Sequence, residues 1–189
     1  VVSFDELGGG LHLLVDGRLK TLRFNEDGKV LILDILKAGD VFGEMALVVT
    51  DAAPIYAQAL EAAVVETVPR FAVEEAMRNR PALALEIARV VGQRRNSLER
   101  RLESQVFQSV PQRLRELLLD LAERFGKERA EGTLIDIPLS QQDLGNLIGG
   151  SREIVSLTLS ELRRRGVVFK DGRKIVVNVA ELAHEESRK

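Results

Sequence analysis

The segment Ser140–Gly166, SQQDLGNLIGGSREIVSLTLSELRRRG, constrains the fold of this chain more than any other. Ser140 followed by Asp143 has the form of a helix N-cap with an acidic partner three residues on. Leu144, Leu147 and Ile148 give a short first helix its apolar face. Gly149-Gly150 supplies a tight turn, and Ser151 caps a second helix. The buried side of that helix is predicted as Ile154, Val155, Thr158, Leu159 and Leu162. Two strands follow, Val167–Lys170 and Lys174–Val179, joined around Asp171-Gly172. Asp-Gly between apolar runs is a strong hairpin signal. Short helix, glycine turn, longer helix and hairpin together form a winged helix-turn-helix, whose second helix enters the DNA major groove. The alternative is a generic helical hairpin followed by a β-hairpin.

The first 70 residues read as β. Leu11–Val15, Arg18–Phe24, Val30–Leu36, Tyr56–Leu60 and Val64–Val68 are short apolar or alternating runs. Asp16-Gly17, Asn25–Gly28 and Ala38–Asp40 turn between the first of them, and Pro69 ends the series. Turns every 8–12 residues indicate a sandwich, barrel or roll. The pattern then becomes helical: a short helix at Val73–Asn79, then a long one from Pro81 to about Val106. Leu83, Ile87, Val91, Arg94, Leu98 and Leu102 recur along it at spacings of three and four. Such a stripe fits a homodimer seam or a helix packed within its own domain, and Arg94 in it either fixes register or points outward. Pro111–Phe125 is a further amphipathic helix, Gly126–Gly132 a charged loop and Thr133–Pro138 a short strand. The fold class is α+β, with a roll at 1–80, a long helix at 81–108 and the winged helix at 109–189.

The net charge of −2 does not mark a nucleic-acid binder, but its distribution is uneven. No Lys or Arg lies between Ala38 and Pro69, whereas Ser140–Asn178 carries seven against four acids. With no cysteine, disulfides, thiolate zinc sites and cysteine-ligated clusters are excluded. That fits a cytoplasmic protein. No apolar run reaches the roughly 18 residues of a membrane span, and no signal-peptide pattern opens the chain. Catalysis has little support. Gly8-Gly9-Gly10 lacks the lysine of a phosphate loop, His12 and His184 are far apart, and Ser151 lacks a nucleophile elbow. No metal site is expected.

The chain resembles the CRP/FNR (cyclic-AMP receptor protein) family over nearly its whole length. FGEMAL at Phe42–Leu47 is similar to the family's roll motif, and Leu139–Val168 to its DNA-binding signature. The resemblance implies a homodimeric transcriptional regulator on promoter DNA, read as an activator, with RNA polymerase as partner near Lys127–Thr133. It implies base contacts from Arg152 to a guanine and from Glu153 to a cytosine amine. Leu157 stands where many members have a second arginine; it can touch a thymine methyl. The half-site is therefore expected to be TGTGA-like but relaxed near its inner G, with half-sites roughly 34 Å apart. Ser140, Gln141, Gln142, Ser151 and Lys174 are the phosphate candidates.

For cyclic AMP, the resemblance implies a Gly-Glu in the roll, an Arg-Ser pair about ten residues on, and Thr-Ser on the long helix. Gly43 and Glu44 are present. The second position falls near Pro54-Ile55 and the third on Leu98-Glu99. A cyclic phosphate in an acidic, cation-free pocket would be poorly paired. No cofactor is therefore expected, cyclic AMP included, and Glu44 is read as hydrogen-bonded to roll backbone. The alternative is a regulator that takes cyclic AMP or another small molecule in the roll.

Overall fold

The computed structural model describes residues 2–3, 9–47, 49 and 55–184. Its contacts divide the chain into two compact units, Val1–Arg101 and Leu102–Lys189.

Among the described residues of the first unit, seven strands form two sheets. They are β1 (Val2–Ser3), β2 (Gly10–Asp16), β3 (Arg18–Phe24), β4 (Val30–Lys37), β5 (Val41–Phe42), β6 (Tyr56–Ala59) and β7 (Val64–Pro69). One sheet runs β1-β6-β3-β4, the other β5-β2-β7, with antiparallel pairing in both. Leu14, Leu19, Leu36, Phe42 and Ala57 pack together in the core. A single 3-10 turn, Glu44–Leu47, follows β5. Two helices follow, α1 (Arg70–Asn79) and α2 (Ala82–Phe107), the latter belonging to the second unit from Leu102 on. α1 starts three residues before the expected Val73, because Pro69 takes the N-cap position and fixes extended backbone there. α2 matches the expected long helix to within a residue, yet none of its side chains is fully buried.

The second unit holds α3 (Val110–Phe125), β8 (Gly126–Arg129), β9 (Gly132–Ile135), α4 (Gln141–Ile148), α5 (Arg152–Arg164), β10 (Val168–Asp171), β11 (Lys174–Val177) and α6 (Val179–His184). Its sheet order is β10-β11-β9-β8. Leu114, Leu118 and Leu121 of α3, Leu144 of α4, Leu159 of α5 and Val177 of β11 are essentially excluded from solvent. The expected charged loop at Gly126–Gly132 is instead a strand and turn: β8 pairs with β9 through Gly126↔Ile135 and Arg129↔Gly132. All four β8 residues are exposed, so side-chain pattern carried no strand signal there and backbone pairing alone makes one. The strand expected at Thr133–Pro138 ends at Ile135. Among the described residues no helix is long and apolar enough to cross a membrane.

Candidate nucleic-acid interface

α4 begins as its sequence predicts. The Asp143 backbone N–H donates to Ser140 Oγ at 3.1 Å, and Asp143 Oδ2 accepts from the Ser140 backbone N–H at 3.0 Å and its hydroxyl at 2.6 Å. This capping box satisfies two helix-end donors at once. α4 ends at Gly149, whose φ of 63° is left-handed and favours glycine. The carbonyl of Ile148, left over by the helix, accepts from Gln105 Nε2 at 2.7 Å and from Arg113 Nε at 2.9 Å. Gly145 completes the corner: a Cβ there would lie 2.6 Å from the Gly150 carbonyl oxygen. Neither Gly145 nor Arg113 stands out in the sequence as part of this turn.

Ser151 caps α5 by accepting from the Ile154 N–H at 3.4 Å. Val155, Leu159 and Leu162 face the core. Ile154 does not: at 40% exposure it stands outside the predicted buried side, as does half-buried Thr158. One turn of α5 can bury only about a third of its circumference, and Val155 and Leu159 already fill that arc. Arg152, Glu153 and Leu157 are exposed, Leu157 at 72%. The Glu153 carboxyl is held below the ordinary glutamate value by its own backbone N–H, then by the Ser151 hydroxyl and the Arg152 charge.

A groove of about 540 Å³ runs between α4, α5 and the β10–β11 wing. Ser140, Gln141 and Gln142 line one side; Arg152, Arg163, Lys170, Arg173 and Lys174 supply five cations, and no carboxylate lines it. Gln142 donates to Asn146 Oδ1 at 2.9 Å. Arg163, Lys170 and Arg173 were not singled out from the sequence. Arg163 follows Arg152 by eleven residues, three helical turns, so both point to the same groove. Its Nε is buried with no hydrogen-bond partner. Cations aligned along a groove of this kind are suited to a polyanionic backbone.

Lys174 is not a simple phosphate ligand. It donates to Asp136 Oδ1, while Lys127 Nζ lies 2.6 Å from Asp136 Oδ2. The two lysines hold the buried Asp136 carboxyl well below the usual carboxylate range, Lys127 contributing most. One carboxylate thus ties β8 and β11 to the end of β9. Its depressed pKa contributes stability that is present above the unfolded-state value of about 3.9 and is lost as pH falls through the folded value. Asp136→Asn is expected to destabilise the protein by about 1–2 kcal/mol at pH 7, the exposed lysines keeping this at the low end. Urea titrations should show this gap undiminished above about pH 5 and closing in acid. A gap independent of pH down to 3 would refute the assignment.

Of the candidate effector residues, Gly43, Glu44, Ile55, Leu98 and Glu99 are described, and each has surroundings of its own. Gly43, with φ 82°, lies against His12; a Cβ there would be 2.6 Å from His12 Cδ2. Glu44 is buried, but its partner is not roll backbone as expected. Arg94 of α2 donates to Glu44 Oε2 and to the Val41 carbonyl. Arg94 therefore neither points outward nor lies in an exposed seam, and Glu44 is not without a cation. The sequence missed this because the partners are 50 residues apart. Ile55 is half-buried, Leu98 is exposed, and Glu99 pairs with Arg95 on the helix surface at 2.8 Å. Pro54 lies outside the described residues.

The α2 stripe also splits. Leu83, Ile87, Val91 and Arg94 are half-buried, whereas Leu98 and Leu102 are exposed and are joined by Val106 at the same spacing of four. Among the described residues no group of three His, Cys, Asp or Glu side chains could hold a metal.

Comparisons with known proteins agree with this architecture. Residues 1–80 match the model of the cyclic nucleotide-binding domain, and residues 112–185 that of the Crp-like helix-turn-helix domain. A CRP-like cAMP-activated global transcriptional regulator of Mycobacterium tuberculosis is 28% identical over 190 residues, covering 100% of this chain and 84% of that protein. A global nitrogen regulator of Nostoc is 28% identical over 170 residues, covering 89% of this chain and 76% of that one. The solved structure of FixK2 from Bradyrhizobium japonicum superposes with a TM-score of 0.77 at 24% identity, over 92% of this chain and 85% of its own. The two domain matches in this order, with α5 and its cationic groove in the second, make the chain a member of the CRP/FNR family of transcriptional regulators rather than an enzyme, with a helix-turn-helix DNA-binding domain.

Proposed function

We propose that this regulator binds promoter DNA as a homodimer, on a palindromic TGTGA-like site, without cyclic AMP. Its working parts are a roll at 1–80, a dimerisation helix at 81–108 and a DNA-binding domain at 109–189. α5 enters the major groove; Arg152, Glu153 and Leu157 meet base edges, and Ser140, Gln141, Gln142 and Ser151 meet phosphates. Lys174 joins them where the phosphate competes with Asp136. Leu98, Leu102 and Val106 cover each other across the dimer axis. The protein acts in the cytoplasm, as an activator touching RNA polymerase through the β8–β9 hairpin.

The observation that carries effector independence is the Glu44–Arg94 pair. The glutamate that the family resemblance places in a cyclic-AMP pocket is already paired with a guanidinium of the protein itself. A cyclic nucleotide would have to share or displace that pair to use the same carboxylate oxygen or guanidinium nitrogens. Removing one partner leaves a buried charge, which in a fully buried pair costs ~3–5 kcal/mol. With Arg94 about a quarter exposed, Arg94→Leu is expected to lower stability by roughly 2–3 kcal/mol in urea titrations. The double variant Glu44→Leu, Arg94→Leu should regain most of it. A double variant no better than the single one would argue against the pair.

A second reading, activation by cyclic AMP, is favoured by the relative from Mycobacterium tuberculosis, which is described as cAMP-activated. Fluorescence anisotropy on a TGTGA-type palindrome and a scrambled duplex, with and without cyclic AMP, separates the two. Salt is held constant because phosphate contacts make affinity salt-dependent. Tight, specific binding without nucleotide supports effector independence; binding only with cyclic AMP establishes the second reading.

A further inference from the structure

We propose that Ile154 and Leu157 form a paired reader of thymine 5-methyl groups, so that part of the half-site is specified by methyl groups rather than by hydrogen bonds. This rests on the reading of α5 as the helix that enters the major groove. Single exposed apolar side chains are ordinary on a protein surface. These two differ in their placement. The buried face of α5 is complete without them, since Val155, Leu159 and Leu162 fill it. At 3.6 residues per turn Leu157 points almost directly away from that face, and Ile154 lies one turn before it. Both stand beside Glu153, which with Arg152 forms the charged start of the same helix.

The polar alternatives on this stretch are partly spent. Thr158 Oγ1 donates to the Ile154 carbonyl and Ser160 Oγ to the Ser156 carbonyl, each at 2.8 Å. Their protons are therefore committed to the helix backbone. Beside the Arg152 guanidinium, the Glu153 carboxylate and the Ser156 hydroxyl, the first turns of α5 offer the bases two branched aliphatic groups. In the major groove the feature that an aliphatic group recognises is the thymine C5-methyl. Residues three apart on a helix lie about 5–6 Å apart, and base steps are about 3.4 Å apart. The pair thus spans methyl groups one or two steps from each other.

The test uses the full chain and a palindrome enriched from a random-sequence duplex library. Each thymine of the enriched half-site is replaced in turn by uracil, which removes the methyl and leaves every hydrogen-bonding group. The wild type is expected to lose about fourfold in affinity per half-site at two positions, the equivalent of ~0.8 kcal/mol for one buried carbon. Leu157→Ala should be insensitive to uracil at one of them and Ile154→Ala at the other. Both residues are exposed, so neither variant is expected to disturb folding, which circular dichroism checks. Enrichment of a palindrome whose uracil forms all bind equally overturns the proposal alone. Failure to enrich any sequence, in selections run both without and with cyclic AMP, overturns the reading of α5 itself, and the proposal with it.

Discussion

Leu102→Glu is expected to leave the chain folded but monomeric, with affinity for a palindromic duplex reduced at least ~100-fold. Leu102 is 70% exposed, so the substitution removes no intrachain packing. Leu98 and Val106, four residues before and after it, are 50% and 70% exposed. Three large apolar groups in one line on a helix with no buried residue are unfavourable in water unless another surface covers them. In a symmetric dimer each faces its own copy, and a glutamate there opposes a glutamate. Linking two reading heads turns the second binding event into an intramolecular one, an advantage of ~10²–10⁴ that a monomer forfeits. Sedimentation equilibrium gives the assembly state and anisotropy the affinity. A variant that remains dimeric and still binds tightly would place the dimer contact elsewhere.

Arg152→Ala should weaken binding by about 1–3 kcal/mol per half-site, the range for a bidentate arginine–guanine contact. Both halves of the dimer lose it, so the whole site loses roughly 2–6 kcal/mol, from ~30-fold to more than ~10⁴-fold. The loss should be confined to duplexes carrying the matched guanine. Against a duplex with that base pair changed, wild type and variant should bind alike. Lys170→Ala, on the wing side of the same groove, should instead weaken binding to all duplexes equally. Anisotropy over a panel of single-base variants distinguishes these patterns. A uniform loss for Arg152→Ala would make it a phosphate contact and leave base reading to Glu153 and its neighbours.

The parts of this molecule legible in its sequence are those fixed by neighbours three or four residues apart. Ser140 with Asp143, Gly149 after Ile148, and Asp171-Gly172 between β10 and β11 are local signals, and the structure realises each. The parts that were illegible depend on distant partners. Arg94 reads as a misplaced charge in an apolar stripe until Glu44 is beside it. Asp136 reads as a residue past a strand end until Lys127 and Lys174 converge on it. The groove cations show the same division: Arg152 announces itself at a helix start, while Arg163 gains its meaning only from the wing opposite. Apolar periodicity located α2 but could not separate its half-buried arc from its exposed one, because Leu83 and Leu102 are the same residue type.

The Ile148 carbonyl, which accepts two side-chain hydrogen bonds, bears on how the molecule fluctuates. Gln105, from the last turn of α2, and Arg113, from α3, both hold the end of α4. The corner between α4 and α5 therefore cannot fray alone: opening it breaks contacts to α3 and to the end of α2, both within Leu102–Lys189. Its amides should exchange with solvent only when that unit opens as a whole. A reading head that is ordered beforehand loses little chain entropy on meeting DNA, so more of its contact energy remains for telling one sequence from another.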